Sequence, residues 1–369
     1  MDHHFEYDRR KIAGDFIRWV RIDSPSAHEQ KISAEIIKRL KKSGLAVETD
    51  KAGNIRGYLR ASAGFKKYPW RLFSAHIDTV EPGRGICPVV TQNGLIHAGG
   101  KTILGADDKD GLTAIILALE YILEKKLRHP GLEFLFTVRE EMATAGSREL
   151  AANWLKSKQG WIFDGAGRIG TIYNGAVGAA EFKIEVTGKA AHSGICPENG
   201  INALKTAANA VARMPLGRLA DNHTVNIGLF QSGMAMNIVP PQAELIGEAR
   251  STNVKRIRQS LALIKRIFRE ESLKTGASFV MRHKLNYYPY KLNGKSDFIR
   301  TTSGILSGLG INPDVRAIKA GTDANNLVRL GMEILVLATG REKNHSVNET
   351  TSIENLYQAM RVAVALMAP

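Results

Sequence analysis

Apolar positions along this 369-residue chain follow two different rhythms. In the first part, helical and strand-like spacings alternate. Residues 5–20 place Phe5, Ile12, Phe16, Ile17 and Val20 on one side, and residues 28–43 do the same with Ile32, Ile36, Ile37 and Leu40. The second run ends at Gly44, a residue suited to a helix C-terminus. Runs at 45–49, 54–59 and 70–76 read as strands, 111–126 as a helix, and 132–138 as a strand rich in Phe, Leu and Val. Such alternation predicts a sheet with helices on its faces. The middle reads as strand 180–186, helix 201–214, strands 223–230 and 243–249, helix 254–273 and strand 278–287. That β-α-β-β-α-β order is the ferredoxin-like pattern, in a unit of about 110 residues that suits an inserted domain. Elements at 295–309, 315–318, 323–330, 333–338 and 353–367 then resume the first rhythm. The predicted fold class is α/β with two domains. One is a discontinuous mixed α/β domain over 1–177 and 290–369; the other is a ferredoxin-like α+β insertion over 178–289.

Composition agrees with this division, since the chain is too long for one ordinary core. Hydrophobic residues at 44% and charged residues at 24% are those of an ordinary globular protein. No run approaches the roughly eighteen apolar residues of a membrane helix. The first six residues carry neither the basic nor the apolar segment of a secretory signal. Cys87 and Cys196 form no metal or redox spacing, so they read as free thiols of a reducing compartment, and a cytoplasmic location is expected. The net charge of +15 is partly concentrated between Lys255 and Arg269. There Ile257, Leu261, Ile264 and Phe268 sit at helical spacing, so the cations read as a solvated face rather than a nucleic-acid or membrane surface. No nucleic-acid-binding motif accompanies them. The charge could steer anionic substrates.

Candidate chemistry gathers where apolar runs end. In Ser74-Ala75-His76-Ile77-Asp78-Thr79, His76 and Asp78 project to the same side of a strand. They are either a ligand pair, or a metal-binding imidazole with a carboxylate holding its second nitrogen. Asp107, Asp108 and Asp110 precede a helix, where acids also serve as ordinary helix-start residues. The strand at 132–138 leads to Arg139-Glu140-Glu141, and two adjacent carboxylates need cations or solvent to relieve them. Residues 161–163 end in Asp164, and 336–338 lead to Gly340-Arg341-Glu342-Lys343-Asn344-His345. In an open α/β sheet the carboxyl ends of strands converge where ligands bind. His, Asp and Glu gathered there without cysteine suit zinc, cobalt or manganese.

These stretches resemble the co-catalytic zinc peptidases and amidohydrolases that include aminoacylase, carboxypeptidase G and peptidase T, with the peptidase T-like members nearest. The matching segments are 74–79 (SAHIDT), 105–111 (GADDKDG), 139–141, 163–165, 187–203 (TGKAAHSGICPENGINA), 237–240 (NIVP), 248–251 (EARS), 321–323 (GTD) and His345, in order along nearly the whole chain. The resemblance implies two divalent metal ions per chain, zinc first with cobalt or manganese as alternatives. One ion would be held by His76, Asp107 and Asp164, the other by Asp107, Glu141 and His345, with Asp107 bridging and Asp78 orienting His76. Glu140 would stay off the metals as the base that takes the proton of the attacking water. The insertion would be a lid and dimerisation domain. His192 would stabilise the oxyanion and Arg250 would clamp a substrate carboxylate, with a substrate hydrogen bond from Asn237 and backbone contacts from Gly321 and Thr322. The other histidines, His3, His4, His28, His97, His129, His223 and His283, match no ligand position, although His223 could line the lid.

The expected activity is hydrolysis of the amide bond of di- or tripeptides by a homodimeric, peptidase T-like aminopeptidase. The alternative is a deacylase acting on N-acyl or N-carbamoyl amino acids. A catalytically retired relative that binds peptide or nucleic acid is a third reading, and its mark would be a lost ligand or a lost Glu140.

Overall fold

The computed structural model describes residues 5–368, so His3, His4 and the outermost residues of the expected first domain lie outside it. The chain forms two compact units. The first runs up to Gly175 and includes Lys291–Ile318 and the chain from Thr322 onward; the second is Ala176–Tyr290 with Lys319–Gly321.

Four parallel strands make the centre of the first unit: Leu132–Thr137, Arg71–His76, Gln159–Gly165 and Glu333–Ala338, in that spatial order. Ile55–Leu59 and then Ala46–Thr49 extend the sheet antiparallel on one side. Thr171–Ala176 pairs antiparallel with Glu333–Ala338 on the other. The central strands are buried nearly throughout, which explains their continuous apolar runs. Phe73 anchors them, stacking on Phe134 and Trp161 with centroids 6.1 and 5.3 Å apart.

Helices Arg9–Val20, Ala106–Glu124 and Ile353–Met367 pack together, and Ala106–Glu124 also packs on the central strands. The long helix is buried from Ala106 through Leu119, and beyond its charged first turn it is accordingly apolar nearly all round. It begins before the expected residue 111, and Asp107 and Asp108 at its start have non-helical dihedrals. The first helix starts at Arg9 rather than at residue 5, because the Asp8 carboxylate accepts the Arg10 N–H and caps it. Phe5 lies outside the helix and packs on Tyr121, 4.9 Å between centroids. A three-stranded sheet of Pro88–Val90, Leu95–Ala98 and Thr350–Ser352 was not anticipated, its strands being too short to show a period.

The second unit is the expected ferredoxin-like arrangement with one added edge strand. Its antiparallel order is Gly217–Ala220, His223–Ser232, Gln242–Ser251, Gly178–Thr187 and Ser278–Tyr287. Helices Ala203–Arg213 and Val254–Thr275 pack on the sheet. Phe182, Ile184, Val186 and Leu245 form a core with Ile257, Ile264 and Phe268 of the basic helix. The cations of that helix, Lys255 through Arg269, point to solvent. No helix among the described residues is long and apolar enough to cross a membrane.

Candidate metal centre

Because the four central strands are parallel, their carboxyl ends share one edge of the sheet. His76 closes the first of them, Asp164 lies near the end of another, and the other two feed the segments 138–144 and 339–345. Helix Ala106–Glu124 reaches the same edge because residue 111 is glycine. A Cβ there would lie 2.1 Å from the Phe163 carbonyl oxygen, so only glycine allows the helix start to approach the strand beside Asp164.

The seven residues expected at the centre all meet at this edge. His76 Nε2 lies 3.0 Å from Asp107 Oδ1 and 3.8 Å from Asp164 Oδ1. His345 Nε2 lies 3.3 Å from Asp107 Oδ2 and 2.9 Å from Glu141 Oε1. Each oxygen of Asp107 thus faces a different histidine. Asp78 sits beneath. Its Oδ1 is 3.3 Å from His76 Nδ1 and accepts the Glu140 N–H at 2.9 Å, while its Oδ2 accepts the Glu141 N–H and the Ser26 hydroxyl. One buried carboxylate thereby orients the imidazole and the turn carrying both glutamates. The Asp78 backbone carbonyl shares the His76 Nδ1 contact at 3.0 Å.

The donor set fits divalent cations. The candidate ligand atoms of His76, Asp107 and Glu141 lie within 4.8 Å of one another, and so do those of His76, Asp108 and Asp164. Glu141 Oε1 is buried and accepts no hydrogen bond, yet it approaches His345 closely. An imidazole nitrogen and a buried carboxylate oxygen that converge this closely can share a cation. Electrostatics make the same demand. Burial, with Asp164, Asp323 and Glu141 nearby, raises Glu140 well above the usual carboxylate range. Burial pushes Asp164 up to about 7. The Asp107 and Glu141 carboxylates close beside it push the His345 imidazole up to about 10, against the opposing effect of burial. Carboxylates crowded this closely hold protons or recruit cations.

Several residues of the centre did not stand out from the sequence. Asp108 and Asp110, in a run equally readable as helix-start acids, do not cap the helix; its cap is Gly105, with no side-chain bond. Asp108 instead accepts the His76 N–H at 3.1 Å. Arg341 is completely buried, and its two terminal nitrogens donate to Asp107, Asp108, Asp110 and Asp164. Glu349 accepts the N–H groups of Gly105 and Asp107 at 2.7 and 2.9 Å, gripping the loop that carries the central carboxylate. The Asn344 amide donates to Asp107 Oδ2 at 2.7 Å. An available signal was the arginine four residues before His345, but periodicity cannot say that such a residue points inward. Positive φ at Arg139, Ala143, Thr144, Lys343 and His345 marks backbone strain in the two loops.

The remaining expected residues lie elsewhere in the chain. Thr322 lies just before Asp323, the N-cap of the short helix Ala324–Arg329 in the first unit, and its N–H donates to the Asn325 side chain. His192, Asn237, Arg250 and Gly321 belong to the second unit. His192 is exposed, and its Nδ1 accepts the Gly194 N–H. Asn237 is exposed, and its carbonyl accepts the Ser193 N–H. Arg250 bonds through Nε and Nη2 to both oxygens of Glu248. Gly321 packs under Tyr287, where a Cβ would meet the ring at 2.2 Å.

The sequence profile of peptidase family M20/M25/M40 matches residues 72–368. An uncharacterized protein of Bacillus subtilis, YqjE, is 31% identical over 98% of both chains. Peptidase T of Listeria welshimeri is 25% identical over 96% of this chain and 97% of its own. Among solved structures, aminopeptidase PepT of Bacillus cereus superposes with a TM-score of 0.88 at 30% identity, covering 98% of both chains. A tripeptidase of Staphylococcus aureus does so with 0.93 at 28%, again over 98% of both. With this profile match over most of its length, and with His76, Asp107, Glu141, Asp164 and His345 brought to one sheet edge, the chain belongs to peptidase family M20/M25/M40.

Proposed function

We propose that this chain is a metal-dependent aminopeptidase of the peptidase T kind, which hydrolyses the amino-terminal amide bond of di- and tripeptides. The observation that carries the reading is the pairing of Asp107, a carboxylate with one oxygen toward each of two histidines, with a buried Glu140 on the turn that Asp78 holds at the same sheet edge. Names of full-length relatives, peptidase T and tripeptidase among them, point the same way.

His76, Asp107 and Asp164 would hold one ion and Asp107, Glu141 and His345 the other, zinc being the first candidate and cobalt or manganese the alternatives. Two such ions supply Lewis acidity to the scissile carbonyl and the attacking water. The protein's own contribution is positional. Asp78 orients the His76 ring and, through the backbone of Glu140 and Glu141, sets the direction of both glutamates. Glu140 takes the proton of the attacking water and passes it to the leaving amine.

Residues 178–289 are assigned the lid and dimerisation role, and 1–177 with 290–369 the catalytic one. In neutral His192, the Gly194 N–H on Nδ1 leaves the ring proton on Nε2, the donor form an oxyanion needs. Arg250 is the carboxylate clamp, with its fork already oriented by Glu248, while Asn237 adds a substrate hydrogen bond and Gly321 and Thr322 backbone contacts. The exposed Ile195, Met234 and Met236 support a homodimer through this unit. The free cysteines, one of them exposed, suit a reducing cytoplasm.

A panel of dipeptides, tripeptides and N-acyl and N-carbamoyl amino acids, assayed with zinc-, cobalt- or manganese-loaded protein, tests the activity. Release of the N-terminal residue from tripeptides is expected. Turnover of the acylated amino acids alone would replace the peptidase reading with the deacylase one.

A further inference from the structure

The two sides of Asp107 are not alike. On the His345 side, its Oδ2 meets a half-exposed imidazole and a neutral amide. On the His76 side, its Oδ1 also accepts Arg341 Nη2 at 2.7 Å, and the same nitrogen donates to Asp164 Oδ1 and, at 2.7 Å, to the Asp164 carbonyl. The guanidinium cannot swing away easily. Its other terminal nitrogen is held by Asp108 and Asp110 at 2.8 and 2.9 Å, and the side chain has no solvent exposure. Arginine keeps its charge at any accessible pH. A permanent cation therefore bonds to two of the three side chains assigned to one metal ion and to only one of those assigned to the other.

We propose that Arg341, braced by Asp110, makes the two metal positions unequal. The His76–Asp107–Asp164 position is the weak, exchangeable one, and the Asp107–Glu141–His345 position is the tight one, so the centre loads stepwise. The proposal rests on the two-ion reading above and adds to it an order of filling. Its physical basis is direct. A buried positive charge in contact with ligand oxygens repels a second cation in a medium that screens poorly, and it occupies lone pairs the ion would use. Asp110 makes no contact with the assigned ligand side chains, so its part is to hold the guanidinium in place.

The test is calorimetric titration of Co2+ into chelator-stripped, full-length protein, with visible absorption of the bound cobalt as a second readout. Two binding phases separated by at least tenfold in Kd are expected. Asp164→Asn should remove the weak phase and leave the tight one; His345→Ala should remove the tight one. The double variant Arg341→Met/Asp110→Asn removes the charged pair together and should strengthen the weak phase about tenfold, while Arg341→Lys should leave the phases unequal. Equal sites in the unaltered protein would overturn the proposal, as would a weak phase lost in His345→Ala instead. A folded double variant with an unchanged or wider gap would overturn it too. If the double variant does not fold, the unaltered protein and the two ligand variants decide alone. Absence of cobalt binding altogether would remove the metallopeptidase reading itself, an outcome distinct from two equal sites.

Discussion

Two ionic clusters, one in each unit, use the same side-chain types at similar distances. On the open face of the second unit's sheet, Lys183 pairs with Glu185 and Glu244 at 3.1 and 2.8 Å, and Arg282 with Glu185 at 3.0 Å. In the first unit, Arg341 pairs with four aspartates at the end of parallel strands. The surface cluster is balanced and wet, so it contributes little to stability, and its members can be exchanged freely. The buried cluster carries more carboxylates than cations and is largely closed to bulk solvent. Proton affinities shift there as a consequence, with Asp164 pushed up to about 7 by burial and Glu349 likewise to about 7. Solvent, rather than residue type, separates a decorative ion pair from a cation-binding centre.

The contrast is sharpest at Glu140. Glu140→Gln keeps volume and removes only the proton acceptor, so turnover should fall by about 10²–10⁴ while metal content and melting temperature stay put, checked by single-turnover assay and metal analysis. Retained turnover would end its assignment as base. Next in size is Gly111→Ala, whose methyl would strike the Phe163 carbonyl. A loss on the order of 3 kcal/mol in urea unfolding is expected, because backbone must move to admit it. Asp78→Ala should weaken metal binding by about 10–100-fold without removing a coordinating group, as a competition titration would read. At the far end, Lys183→Ala should change neither melting temperature nor turnover measurably. A large effect there would break the distinction between the two clusters.

The fold was legible because its elements are long enough to show a period. Helix 254–273 and strand 278–287 were read within two residues of Val254–Thr275 and Ser278–Tyr287. Strands of three residues, such as Pro88–Val90, carry too few positions to show any period. Among the site residues, His76, Asp164 and the Glu140–Glu141 pair were visible because each terminates or closely follows an apolar run. Asp108 and Asp110 were ambiguous, since acids at a helix start have an ordinary use. Glu349 and Arg341 act through partners far away in sequence, 177 residues for Arg341–Asp164 and 244 for Glu349–Gly105, which no local pattern encodes.

By itself, the sequence determined the alternation of elements, the ferredoxin-like insertion and the identity of the chemically able side chains, because periodicity and residue type are local properties. Only the tertiary structure decided which oxygen of Asp107 faces which histidine, and that Asp78 orients both a ring and a turn. It alone decided that the Arg341 charge enters the centre from one side. Those outcomes depend on parallel strands ending together and on a glycine that lets a helix approach them, and distances of that kind exist only once the chain has packed.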